Sequence, residues 1–131
     1  VPADRKHFQI DLGKVEELIT ANTQAIIINS PNNPSGVVYT KETLTALAEL
    51  LTKKGEEYGH PIYIIADEPY RELVYGGVEV PFIPNIYKNT IVCYSWSKSL
   101  SLPGERIGYF LVPDACENAQ EVFLAAQGAE E

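Results

Sequence analysis

The sequence predicts an α/β fold built on a small, mainly parallel sheet, and two observations carry that expectation. Three short runs, Ala25–Asn29 (AIIIN), Ile62–Ala66 (IYIIA) and Thr90–Tyr94 (TIVCY), are apolar without alternation. Strands buried on both faces, as in parallel sheets, show this pattern. Between the first two runs, Leu44, Leu47, Ala48 and Leu51 fall on one face of a helix. The result is a βαβ unit, right-handed by the chirality of such crossovers.

The remaining elements follow in chain order. Leu12–Thr20 reads as a helix with Asp11 at its N-cap. The crossover helix starts at Thr40, with Thr43 at N3, and stops at Gly55 or Gly59. The connection LVYGGVEVPFIPNIYKN holds Gly76-Gly77, Pro81 and Pro84, so a turn and loop are expected, with at most a short helix near Ile86. A fourth strand, Ile107–Val112, follows the third too closely for a crossover helix, so it is expected to run antiparallel. The closing ENAQEVFLAAQGAEE reads as the start of a helix. Residues 1–131 form one segment without repeats or linkers. With no initiator Met and Val1 opening in mid-loop, the chain is expected to be a piece of a longer one.

Composition excludes several classes. The chain has 131 residues, is 45% hydrophobic and carries a formal charge of −8, with no stripe of Lys and Arg. Nucleic-acid binding needs such a stripe to neutralise phosphates. No apolar run approaches the roughly 20 residues that span a membrane. Cys93 and Cys116 are too isolated for a metal or disulfide framework, and a cytoplasmic location is the default reading. His7 and His60 show no partner pattern and read as structural or exposed.

In open α/β sheets, ligands lie beyond the carboxyl ends of the parallel strands. After the first run comes Ser30-Pro-Asn-Asn-Pro-Ser-Gly36, after the second Asp67-Glu-Pro-Tyr70, and after the third Ser95-Trp-Ser-Lys98. An antiparallel fourth strand brings Arg106 to the same rim. Singly, each residue has an ordinary reading: Asn33 as a turn former, Asp67 as a helix cap, Lys98 and Arg106 as solvated charges. Together, an acid, a lysine, an arginine, hydroxyls and an amide are what an anionic, nitrogen-containing cofactor requires.

The motifs PNNPSG, DEPY and S-x-S-K-x7-R-x-G resemble those of the fold-type-I pyridoxal-phosphate enzymes. Among these, SKSLSLPGERIGY is most similar to the class I/II aminotransferases, in their aspartate/aromatic aminotransferase-like branch. Trp96 departs from the pattern, where a smaller or different apolar residue is more usual. The resemblance implies a fragment of the large cofactor-binding domain, with helices flanking a mixed sheet of order 4-3-2-1. It implies that Lys98 carries pyridoxal 5'-phosphate and acts as the base, and that Asp67 pairs with the pyridine nitrogen. Asn33 and Tyr70 are implied to bind the phenolic oxygen, and Arg106 and Ser95, with Ser97 as a lesser candidate, the phosphate. An Asn33–Pro34 cis bond is also implied.

The implied substrates are an amino acid and a 2-oxo acid, and the implied parent is a homodimer. The family's remaining phosphate donors, its ring-stacking aromatic and its carboxylate-binding arginine lie outside this segment, so the isolated chain is expected to be inactive. Two alternatives stand beside this reading. Carbon–sulfur β-lyases share the lysine, aspartate and arginine, and a non-catalytic α/β structural fragment or binding module would use the same residues only as turn formers.

Overall fold

A computed structural model describes residues 8–129; Val1 and His7 lie outside the described residues. Strands β1 (Ala25–Asn29), β2 (Tyr63–Asp67), β3 (Thr90–Ser95) and β4 (Gly108–Leu111) form one sheet in the order β1-β2-β3-β4. This is the expected order. β1, β2 and β3 run parallel, and β4 pairs antiparallel with β3. The helices are α1 (Leu12–Leu18), α2 (Lys41–Tyr58), α3 (Trp96–Ser99) and α4 (Ala119–Gly128). The expected short helix near Ile86 is a 3-10 turn at Ile83–Asn85.

Both predicted N-caps form: Asp11 accepts from the Lys14 N–H and Thr40 from the Thr43 N–H. Gly59 ends α2 in the left-handed region at φ 76°, where its N–H reaches the Gly55 carbonyl at 2.8 Å. Glycine adopts that conformation without the Cβ penalty other residues meet. Gly55, the other candidate stop, stays inside the helix. A Cβ there would sit 3.0 Å from the His60 carbonyl oxygen.

The apolar stripe of α2 (Leu44, Leu47, Leu51) and Val15 of α1 pack on Ile28, Ile64, Ala66 and Val92. Neighbouring strand residues point to the opposite face, which is only partly covered. There Ile27 is 73% exposed, and Phe110 meets Phe123 of α4 with ring centroids 5.3 Å apart. No helix among the described residues is long and apolar enough to cross a membrane.

His60 ties the α1–β1 connection to the start of β2. Its Nε2 lies 2.8 Å from the Ala21 carbonyl oxygen and its Nδ1 3.1 Å from that of Pro61. Neutral imidazole has one N–H, so only imidazolium donates to both. The Ala21 carbonyl first, and Pro61 second, raise its pKa. A raised folded-state pKa gives stability that is full below the unfolded value of about 6.5 and lost as pH rises through the folded value. The melting temperature should therefore fall between about pH 6 and pH 8 more steeply in the natural chain than in His60→Gln. Parallel melting curves for the two would refute this contribution.

Candidate active site

β1, β2 and β3 end at one rim, and β4 begins there. The parallel register sets Asn29 beside Asp67 and Asp67 beside Cys93, all on the face away from α2. Asn29 uses both ends of its amide. Its Nδ2 donates to the Asp67 carbonyl oxygen at 3.1 Å and to Asp67 Oδ2 at 3.3 Å. Its Oδ1 accepts from the Asn33 N–H at 2.9 Å.

Asn33 in turn donates from Nδ2 to the Tyr70 hydroxyl at 2.8 Å, and Lys98 Nζ stands 5.9 Å from the centre of the Tyr70 ring. The loop carrying Asn33 is held by its own bonds: Tyr39 N–H donates to Ser30 Oγ and Ser35 Oγ to Asn32 Oδ1. Asn33–Pro34 is cis, as expected, and so is Ser30–Pro31.

The turn after β2 has a separate anchor. Glu68, 2% exposed, receives a bond from Arg71 Nη1 at 2.8 Å. Arg71 also donates to the carbonyls of Val80 and Pro81. Burial raises the Glu68 carboxyl's pKa, opposed by Arg71. Burial likewise pushes Asp67 up, with the Asn29 bond opposing it. A desolvated carboxylate of this kind is favoured by a cationic N–H donor at its free edge.

On the adjoining rim, Ser95 pairs with Gly108, and the Trp96 N–H donates to the Ile107 carbonyl at 3.2 Å. A Cβ on Gly108 would come within 2.5 Å of the Tyr94 carbonyl oxygen, so this close pairing requires glycine. Ser95 and half-buried Ser97 flank the exposed Lys98 on α3 and its entry. Arg106 is exposed, at φ 54°, and its Nη1 donates to Pro103 of its own turn at 3.5 Å.

Asn33, Tyr70 and Lys98 are thus brought together, with Asp67 joined to them through Asn29. Ser95, Ser97 and Arg106 share the rim, but Arg106 is not bonded to Ser95. A concavity of about 1100 Å³ lies at the other end of the sheet, beside His60 and Asn89.

A family model described as "Aminotransferase class I and II" matches residues 1–127. The chain belongs to that family. Among aminotransferases it is similar to a probable aspartate/prephenate aminotransferase of Aquifex aeolicus, 41% identical over 113 residues, covering 83% of this chain and 27% of that protein. It is 39% identical over 114 residues to an aspartate aminotransferase of Geobacillus stearothermophilus, covering 84% of this chain and 28% of the relative. A solved amino transferase from Eubacterium rectale superposes with a TM-score of 0.96 at 62% identity, covering 98% of this chain and 32% of the other. The chain therefore spans under a third of the length of these aminotransferases.

In the sequence Asn29 looks like the end of an apolar strand, which hides its role at the rim. A usable signal existed: the first run and the segment IIAD each close on a polar residue. A parallel register sets such residues side by side.

Proposed function

We propose that this chain is the pyridoxal-phosphate-holding segment of the large domain of a cytoplasmic, homodimeric aminotransferase. The whole enzyme would move an amino group between an amino acid and a 2-oxo acid. The observation that carries this reading is the continuous contact chain Asp67–Asn29–Asn33–Tyr70–Lys98. The donor set fits the cofactor: a half-buried carboxylate suited to a cationic ring N–H, an amide and a phenol side by side, and a free lysine amine.

Bound pyridoxal phosphate supplies an electron sink for the pair released at the substrate's Cα. Lys98 Nζ would hold the cofactor at its aldehyde carbon, and its free amine would take up the proton from the substrate's Cα. Asp67 would keep a proton on the pyridine nitrogen. Asn33 and Tyr70 would hydrogen-bond the phenolic oxygen. Ser95, Ser97 and Arg106 would receive the phosphate, for which the planar arginine fork is suited.

The test compares the purified 131-residue chain with the full-length protein, assayed for 2-oxo acid released from aspartate and aromatic amino acids. The full-length protein should transaminate. The isolated chain should not, and it should lose cofactor on gel filtration. Turnover by the chain alone would overturn the division of labour proposed here. A full-length protein that eliminates sulfur from cysteine-type substrates without transaminating would overturn the aminotransferase reading itself.

A further inference from the structure

Lys98 sits on α3, one turn long, whose N-cap Ser95 makes no side-chain capping bond. So short a helix is marginal by itself, and what fixes it lies behind it. Tyr94, on the sheet face opposite Asp67, is 8% exposed. Its hydroxyl lies 2.8 Å from Glu72 Oε2 and 2.6 Å from Ser99 Oγ.

An ionised carboxylate only accepts, so Tyr94 donates to Glu72 and its oxygen receives the Ser99 proton. Each of the three residues belongs to a different part of the rim. Glu72 follows the turn that presents Tyr70, Tyr94 stands on β3, and Ser99 is the residue after Lys98. The Tyr94 ring also packs against Trp96 and Tyr109, with centroids 5.6 and 5.2 Å away. The ring is therefore held independently of its hydroxyl. Burial raises the Tyr94 phenol's pKa, opposed by the Ser99 bond and reinforced by the bond and charge of Glu72.

We infer that Glu72, Tyr94 and Ser99 form a hydrogen-bonded strut that positions Lys98 against Tyr70. The three are positioning residues, and their effect on chemistry rests on the reading of Lys98 as the cofactor lysine. The ring packing implies that Tyr94→Phe removes the strut while leaving the aromatic cluster in place. Since hydrogen bonds to charged groups are the stronger class, the effect should be readily measured.

Two readouts on the full-length protein separate the strut from the reading it rests on. The first is the rate at which pyridoxal phosphate is fixed to Lys98 by borohydride, located by peptide mapping. It should fall about tenfold in Tyr94→Phe and in Ser99→Ala, with the double variant no slower than either single one, as expected for residues acting as a unit. Ser99→Thr, which keeps the hydroxyl, should recover most of the loss, and Glu72→Gln, which keeps an acceptor without its charge, should fall between the natural protein and Tyr94→Phe.

The second readout is amide hydrogen exchange without cofactor, which should speed up about tenfold in residues 96–102 alone. Wild-type protein that takes no label at Lys98 would sink the cofactor reading and leave the exchange result to judge the strut. Unchanged exchange at 96–102 in both Tyr94→Phe and Ser99→Ala, or a Ser99→Thr variant as impaired as Ser99→Ala, would sink the strut.

Discussion

Replacing Lys98 by alanine in the full-length protein is expected to cost transamination at least about 10³–10⁴-fold, the upper range for losing a positioned acid–base group. The fold should survive. Lys98 is exposed, with its amine 5.9 Å from the centre of the Tyr70 ring, so its removal leaves no cavity. Single-turnover kinetics with preformed cofactor complex isolates the step, and added small amines should restore part of the rate by standing in for Nζ. A Lys98→Ala variant within about tenfold of the natural enzyme would show that the proton leaves Cα by another route.

Asp67→Asn should come next in severity, with activity falling about 10²–10³-fold, the cost of removing one charge aimed at the reacting system. The same substitution should leave the isolated fold as stable or more so near pH 7. Burial raises the Asp67 pKa, so the folded state holds that proton more tightly than the unfolded chain. The stability linked to Asp67 therefore declines as pH rises through the folded value. Asparagine has no charge to desolvate and can still meet the Asn29 amide. Thermal melts of the variant pair, run beside the activity assay, check both halves. A variant that is both active and less stable would contradict the role and the electrostatics together.

Much of this was legible because it depends on local chemistry repeated in simple patterns. Thr40 and Gly59 mark the limits of α2 through capping and left-handed backbone, and the apolar runs locate β1 to β3. Boundaries shifted by a residue or two. β2 begins at Tyr63 instead of Ile62, where the Tyr63 N–H starts the ladder by donating to Gln24. α1 stops at Leu18 because Ile19 turns extended.

Hidden from the sequence were features fixed only by contacts distant along the chain. Asn29 acquires its role from a residue 38 positions away. α3 has no periodicity to announce it, and its Ser99 is secured by a tyrosine that reads simply as strand core. Arg106 was expected to share a phosphate with Ser95. It reaches that rim, yet its guanidinium turns back to Pro103, which no residue spacing indicates.

Each strand of the sheet lies next to the one that precedes it in the chain. Among the described strands, then, each waits only for the next one in the chain. β1 can close on β2, β3 can dock on that pair, and β4 can fold back last, each step closing only the intervening connection, whose entropic cost grows slowly with length. The lysine-bearing turn, between β3 and β4, follows in the chain the segments that carry Asn33, Asp67 and Tyr70. Pairing in the order of translation would bring it last to a rim those residues already line.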